Sequence, residues 1–192
     1  MGAEGRTIDS YHKQEGMMKR QVIFTLIFIL VFFAFYSMAQ APTPSPQHKK
    51  LGFWIGTWKI EGEAVETPLF SAGKYSATMK AEWFEGEFHV ICRTKWTGAM
   101  GDYKELNVLG YDLGTGEYYA FAIDGFGSGY FYKGMAKENV WTYMTEMKAE
   151  GKSIKYRWTV KDESPGLITW TSELAIDGGP WILGGKAKAV RE

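Results

Sequence analysis

The sequence is poor in the residues that most site chemistry requires. It holds one cysteine, Cys92, among 192 residues, so an internal disulfide, a CxxC redox pair and a cysteine-based zinc site are excluded. Cys92 reads instead as a small apolar core residue. Histidine is nearly as scarce, with His12, His48 and His89 the full set. No excess of one charge exists: Lys plus Arg number 22 and Asp plus Glu 22. That balance leaves no cationic surplus to hold a polyanion through phosphate contacts, which argues against nucleic-acid binding. No G-x-S-x-G elbow is present to carry a nucleophilic serine. From Gly56 onward no ten-residue stretch keeps a 3.6-residue apolar period, so amphipathic helices are not expected there.

One long apolar run is present, and it lies near the start. Lys19 and Arg20 precede Val22 to Tyr36, fifteen residues without a charge, followed by small residues at Ser37 and Ala39. This pattern predicts a signal peptide helix over residues 1–39, cleavage after Ala39, a mature chain starting at Gln40, and export to the periplasm or the medium. The alternative is an uncleaved anchor, because Val22 to Ala39 reaches eighteen residues, the lower edge of a membrane span. Met17 and Met18 offer an alternative start. "QAPTPSPQHKK", residues 40–50, reads as an extended proline-rich linker, which places a single folded domain at 51–192.

What fills that domain is alternation. Period-two segments recur near 56–64, 75–84, 87–97, 104–112, 117–124, 129–137, 140–149, 152–162, 167–177 and 180–190, with Gly, Asp or Pro between them. Short links favour antiparallel pairing of neighbours. A two-residue turn at Glu85-Gly86 would set Trp83 opposite Phe88, Ala81 opposite Val90 and Met79 opposite Cys92, with Glu82 opposite His89 on the other face. The same parity collects Trp141 and Tyr143, Ile154 to Val160, Ile168 to Ile176, and Trp181 with Leu183. Seven of the eight tryptophans therefore fall on one dry face, with Trp54 just before the first strand. A sheet with such a face is most simply rolled shut. The expected fold is all-β: a single antiparallel up-and-down (meander) β-barrel of about ten strands, with Trp58 plugging one end.

The Gly-x-Trp of "GFWIGTWKIEGEAV" at the first strand resembles the lipocalin and fatty-acid-binding superfamily, and "GTW" also resembles the nitrobindin-type haem barrels. A resemblance over nearly the whole mature chain is to the bacterial domain-of-unknown-function family 1579, carried by "LGFWIGTWKIEGEA", "AEWFEGEFHVICR", "GAMGDYKELNVLGYD", "YYAFAIDGFG" and "DGGPWILGGKAKAV". That resemblance implies a single-domain, often exported β protein and assigns no activity. Two departures matter. "ETPLFSAGK", Glu66 to Lys74, is too short for the helical pair that fatty-acid-binding barrels insert there, and the late histidine that nitrobindin-type barrels use for haem is missing.

Candidate site residues follow from the barrel. An apolar ligand in the interior would meet Trp58, Met79, Trp83 and Trp96 from the first half, and Tyr143, Tyr156, Trp158 and Trp170 from the second. The competing reading is a packed core of the same side chains. His89 and Cys92 point to opposite strand faces and cannot chelate together, so no metal site is expected and no cofactor is called for. An alternative of another class is a small isomerase or hydrolase using His89, Arg93 and Glu82, with Asp124, at the rim. It requires a register slip of one residue to turn His89 and Arg93 inward. Elsewhere Glu61 and Glu63 read as solvated, and "DGFGSG", Asp124 to Gly129, as a hairpin turn. Between Gly116 and Gly134 aromatic residues occupy both parities, with Tyr118 beside Tyr119 and the run Tyr130-Phe131-Tyr132. One set needs cover outside the barrel, which suggests a homodimer through Tyr118 to Tyr132, a ligand portal or an interaction scaffold without a ligand.

Overall fold

Alternating apolar residues give ten strands that close on themselves. The computed structural model describes residues 17–18, 20–28, 42–98, 101–149 and 151–192. Its compact unit runs from Pro44 to Glu192. The strands are β1 (Gly56–Ala64), β2 (Gly73–Trp83), β3 (His89–Gly98), β4 (Tyr103–Asp112), β5 (Glu117–Asp124), β6 (Gly129–Lys137), β7 (Val140–Ala149), β8 (Lys152–Ser164), β9 (Leu167–Ile176) and β10 (Ile182–Arg191). Each pairs antiparallel with its sequence neighbours, and β10 returns to β1, so the barrel is closed and has no free edge. Ahead of it stand a short helix, α1 (Pro46–Lys50), and a single 3-10 turn (Leu51–Trp54).

The β2–β3 hairpin differs from its expected register by two residues. Trp83 pairs with Val90, Ala81 with Cys92 and Met79 with Thr94. The turn is longer than two residues: the Phe84 amide bonds to the His89 carbonyl and the Glu87 amide to the Phe84 carbonyl. Gly86 and Glu87 both have positive φ, at 83° and 58°. A shift of two leaves every side chain on its face, because the strand period is itself two. Val90 and Cys92 are buried as expected. The partner of His89 changes, however. Glu82 now faces Ile91 and bonds Arg93, while His89 Nε2 lies 2.7 Å from the Tyr119 hydroxyl.

Two further expectations fail for local reasons. A bulge in β10 between Leu183 and Gly185 reverses its parity, so Leu183 is exposed and Ile182 faces Leu174. Trp181 likewise lies outside, 4.3 Å beneath the Arg157 guanidinium, which also holds Glu173 by two hydrogen bonds of 2.8 Å. Trp54 takes the eighth indole inward at 1% exposure. The second correction concerns the linker. Its latter half is not extended: Ser45 caps α1, with the Ser45 amide donating to His48 Nδ1 in a reciprocal capping box. His48 is buried between Phe88 and Tyr111. The expected leader falls mostly outside the described residues. Residues 20–28 are helical, and among the described residues no helix is long and apolar enough to cross a membrane.

α1 and the 3-10 turn after it close one end of the barrel. Leu51 and Trp54 are almost wholly buried, and Trp58 donates from Nε1 to the Trp54 carbonyl at 2.7 Å. Phe53 stacks on Trp141, and the Tyr118 hydroxyl donates to the Gln47 carbonyl. Arg191 covers the Trp58 ring from below and donates to the Phe53 carbonyl. Trp58 is a plug, 1% exposed, as its position at the mouth of β1 suggested.

Candidate ligand cavity

At the other end no segment among the described residues fills the barrel, and the inward parity leaves a cavity of about 260 Å³. Nine aromatic residues stand around it, from Trp54 at the floor to Phe70 at the mouth. Phe70 belongs to the β1–β2 loop, which folds on itself through Thr67. The Thr67 amide donates to the Phe70 carbonyl, the Thr67 hydroxyl accepts from Leu69 and Phe70, and Glu66 accepts from Ala72. No helix covers the mouth over residues 65–72. Tyr75 reaches across β1 to donate to the Lys186 carbonyl, an approach that Gly62 permits: a Cβ there would lie 2.2 Å from the tyrosine ring.

Among the described residues the wall is mostly apolar, with one charged group. Glu105 on β4 accepts from Trp96 Nε1 at 2.7 Å. Burial lifts its pKa above the ordinary carboxylate value, against the opposing pull of hydrogen bonds from Asn107 and Trp96, and Asp124 adds to the rise. Burial and then the negative Glu105 keep the Tyr103 hydroxyl protonated, and burial does the same for Tyr132. The Tyr156 phenol is pushed up to about 12 by burial. Below them, the Trp54 indole N–H and the Tyr143 hydroxyl are both buried and face each other.

Residues 43–188 match the family described as Protein of unknown function (DUF1579). The chain belongs to the DUF1579 family. Its barrel is lipocalin-like, similar to the crystal structure of Rv2717c from M. tuberculosis, with a TM-score of 0.55 at 11% identity over 78% of this chain and 99% of that one. It also aligns with the S-type phycobiliprotein lyase CPES from Guillardia theta, with a TM-score of 0.48 at 10% identity over 75% of this chain and 91% of that one. No curated protein matches.

Of the eight residues expected in the DUF1579 lumen, Met79, Trp96, Tyr156, Trp158 and Trp170 line the cavity. Trp58, Trp83 and Tyr143 do not: Trp58 and Tyr143 are buried in the core and Trp83 packs against it. The inward parity was right for all three, but parity fixes a face and not whether the ring ends in packed core or at the cavity: Trp58 pairs with Met79 and Tyr143 with Trp158, and in each pair only the second lines the cavity. Tyr75, Tyr103, Glu105, Asn107 and Tyr132 also line the cavity and were missed as site residues. Tyr103, Glu105 and Asn107 alternate along β4, and the signal for them was available once Leu109 was placed inside. A carboxylate on an inward strand position is easily taken for an outward one.

The rim residues of the enzyme alternative lie outside the cavity. His89 is on the outer face beside Phe84 and Tyr119, where burial lowers its pKa. Arg93 and Lys80 flank Glu82, and Lys80 followed by Arg93 holds that carboxyl below its usual range. The slip of one residue that would turn His89 and Arg93 inward is absent. Cys92 is buried, and burial raises its thiol to about 12, so it is inert packing. Asp124 accepts from Phe126 and Ser128 and so closes the turn that "DGFGSG" predicted. On the outer face of β5 and β6, Phe121, Ile123 and Phe131 are exposed, whereas Tyr118 is buried.

Proposed function

We propose that this protein is an exported lipocalin-like carrier or sensor that binds a small, mostly apolar molecule within its barrel. The observation carrying this reading is the cavity of about 260 Å³ walled by nine aromatic residues at one end of an otherwise packed barrel. Shape and apolar lining with a few polar anchors are what such sites require. A ligand selective for the folded state raises the melting temperature by mass action, and one lying against Trp96, Trp158 and Trp170 quenches their fluorescence. Titration with a series of small aromatic compounds should give both signals together. Absence of both across the series would overturn the reading.

Export rests on the leader. Lys19-Arg20, the apolar run and the small residues before Gln40 are its support. N-terminal sequencing of protein from the native host should begin at Gln40, whereas an intact Val22 to Ala39 segment would make it an anchored protein.

A second surface favours self-association. Phe121, Ile123, Phe131 and Met135 are exposed on neighbouring strands, next to an exposed Lys133–Glu117 ion pair of 3.4 Å. A second copy of the same chain fits this patch, because a two-fold arrangement covers the apolar side chains and lets each lysine meet the other copy's glutamate. Sedimentation over a wide concentration range should show a dimer; a monomer throughout removes the idea.

A further inference from the structure

Resting on the reading of the cavity as a ligand site, we propose that its ligand is an organic cation, a protonated alkyl- or arylamine with its ammonium group at Glu105 and its apolar part among the rings. Among the described residues Glu105 is the sole charged one in the lining, which contains no Lys, Arg or His. The donors that reach its carboxylate are neutral, the indole of Trp96 and the amide of Asn107. Its cross-strand neighbour on the same face is Asp124, so the adjoining charge is also negative. An ionised carboxylate set into an apolar wall with no counter-charge is unfavourable, and the burial-driven rise in its pKa is the trace of that penalty. A ligand ammonium supplies the missing charge.

The surrounding rings favour the same sign. Aromatic faces are negative and attract cations, most strongly where water is excluded. Trp96 stacks on Tyr103 at 6.0 Å between centroids, and Tyr132 and Tyr156 meet edge to face at 6.2 Å, so ring faces are held in place around the carboxylate. The phenols remain neutral, because burial holds Tyr103, Tyr132 and Tyr156 protonated, and they compete for no cation. An anionic ligand would face a carboxylate and ring faces with no basic residue to receive it. A neutral apolar ligand would cover Glu105 and leave it uncompensated. The cavity volume of 260 Å³ admits a molecule of about a dozen non-hydrogen atoms.

The test uses three probes of one shape and different charge: 4-phenylbutylamine, 4-phenylbutanol and 4-phenylbutyrate. They are titrated into the purified protein by calorimetry at about pH 8, where the amine and the free carboxylates are both charged. The amine should bind at least about tenfold more tightly than the alcohol, and the acid most weakly. In Glu105→Gln the amine should fall to the affinity of the alcohol, while the alcohol binds as well as or better than before. Equal affinity of amine and alcohol for the unmodified protein overturns the choice of cation and leaves the cavity reading standing, as does tightest binding of the acid. Failure of all three to bind at millimolar concentration overturns both. The comparison of probes on the unmodified protein decides the matter even where the variant folds poorly.

Discussion

The two ends of the barrel are lined by the same kind of side chain and differ in what lies between the rings. At the closed end Trp54, Phe53 and Trp141 pack at centroid distances of 4.5 to 4.8 Å, and Trp58 is hydrogen-bonded beneath them. At the open end Tyr75 meets Trp96 edge to face at 5.6 Å and Tyr132 meets Tyr156 at 6.2 Å, and these four rings stand around the cavity. Strand pattern does not make this difference, since the register runs unbroken along the whole of β2 and β3. The difference comes from a segment outside the sheet. α1 and the turn after it thrust Leu51 and Trp54 into one mouth, whereas among the described residues the loops at the other mouth bring Phe70, Ser71 and Gly101 to the cavity. A closed ring of this many strands leaves more cross-section than its own side chains fill, so the plug decides which half is core and which half is cavity.

The largest effect should come from the closed end, at the strand residue on which the plug rests. Trp58→Ala deletes a fully buried indole and its bond to the Trp54 carbonyl, and urea unfolding should show a loss of about 3 to 5 kcal/mol. The matching change at the open end, Trp170→Ala, should cost well under that, because its ring already borders space. Equal losses would break the comparison. Next comes Gly134→Ala. A Cβ there would lie 2.6 Å from the Tyr143 ring, which is 0% exposed and cannot retreat, so about 1 to 3 kcal/mol should be lost. Gly62→Ala strikes Tyr75 in the same way, yet that ring can swing towards the cavity. It should affect ligand affinity more than the unfolding midpoint.

A smaller and pH-dependent effect belongs to Glu105. Burial raises its pKa above the ordinary 4.5, so between 4.5 and the folded value the folded state holds the proton that the unfolded chain has released. Its contribution to stability is complete below 4.5 and declines as pH rises through the folded value. Glu105→Gln removes the decline. The variant should therefore be more stable than the parent at pH 8 and equal to it at pH 4 in urea unfolding. A variant less stable at pH 8 would mean that the carboxylate is well solvated in the cavity. The smallest change in stability, within about 0.5 kcal/mol, is expected for Phe131→Glu on the outer face. Its readout is sedimentation, where any dimer of the parent protein should become monomeric.

Much of the architecture was legible because a period of two survives errors in register. Ten strands, their order and the inward set around Ala81, Val90, Cys92, Tyr143 and Trp170 all follow from alternation. The β2–β3 turn could be misjudged by two residues without moving one side chain to the wrong face. Trp181 and Leu183 were misplaced because a bulge at Gly184 interrupts the alternation, and a glycine pair gives no warning of which residue is extra. His48 was read as linker because five residues are too few to show a helical period, although Ser45 with Pro46 was an N-terminal signal.

What the sequence determined alone is which side chains share a face, and hence that an aromatic-rich lumen must exist. Which inward side chains meet the cavity was left to the tertiary structure, because it depends on how the N-terminal segment packs under strands distant from it in the chain. That packing separates Trp58 and Tyr143, which are structural, from Tyr156 and Trp170, which meet the cavity. It also leaves Glu105 facing enclosed space rather than solvent, a consequence of closing the sheet that no local pattern around residue 105 encodes.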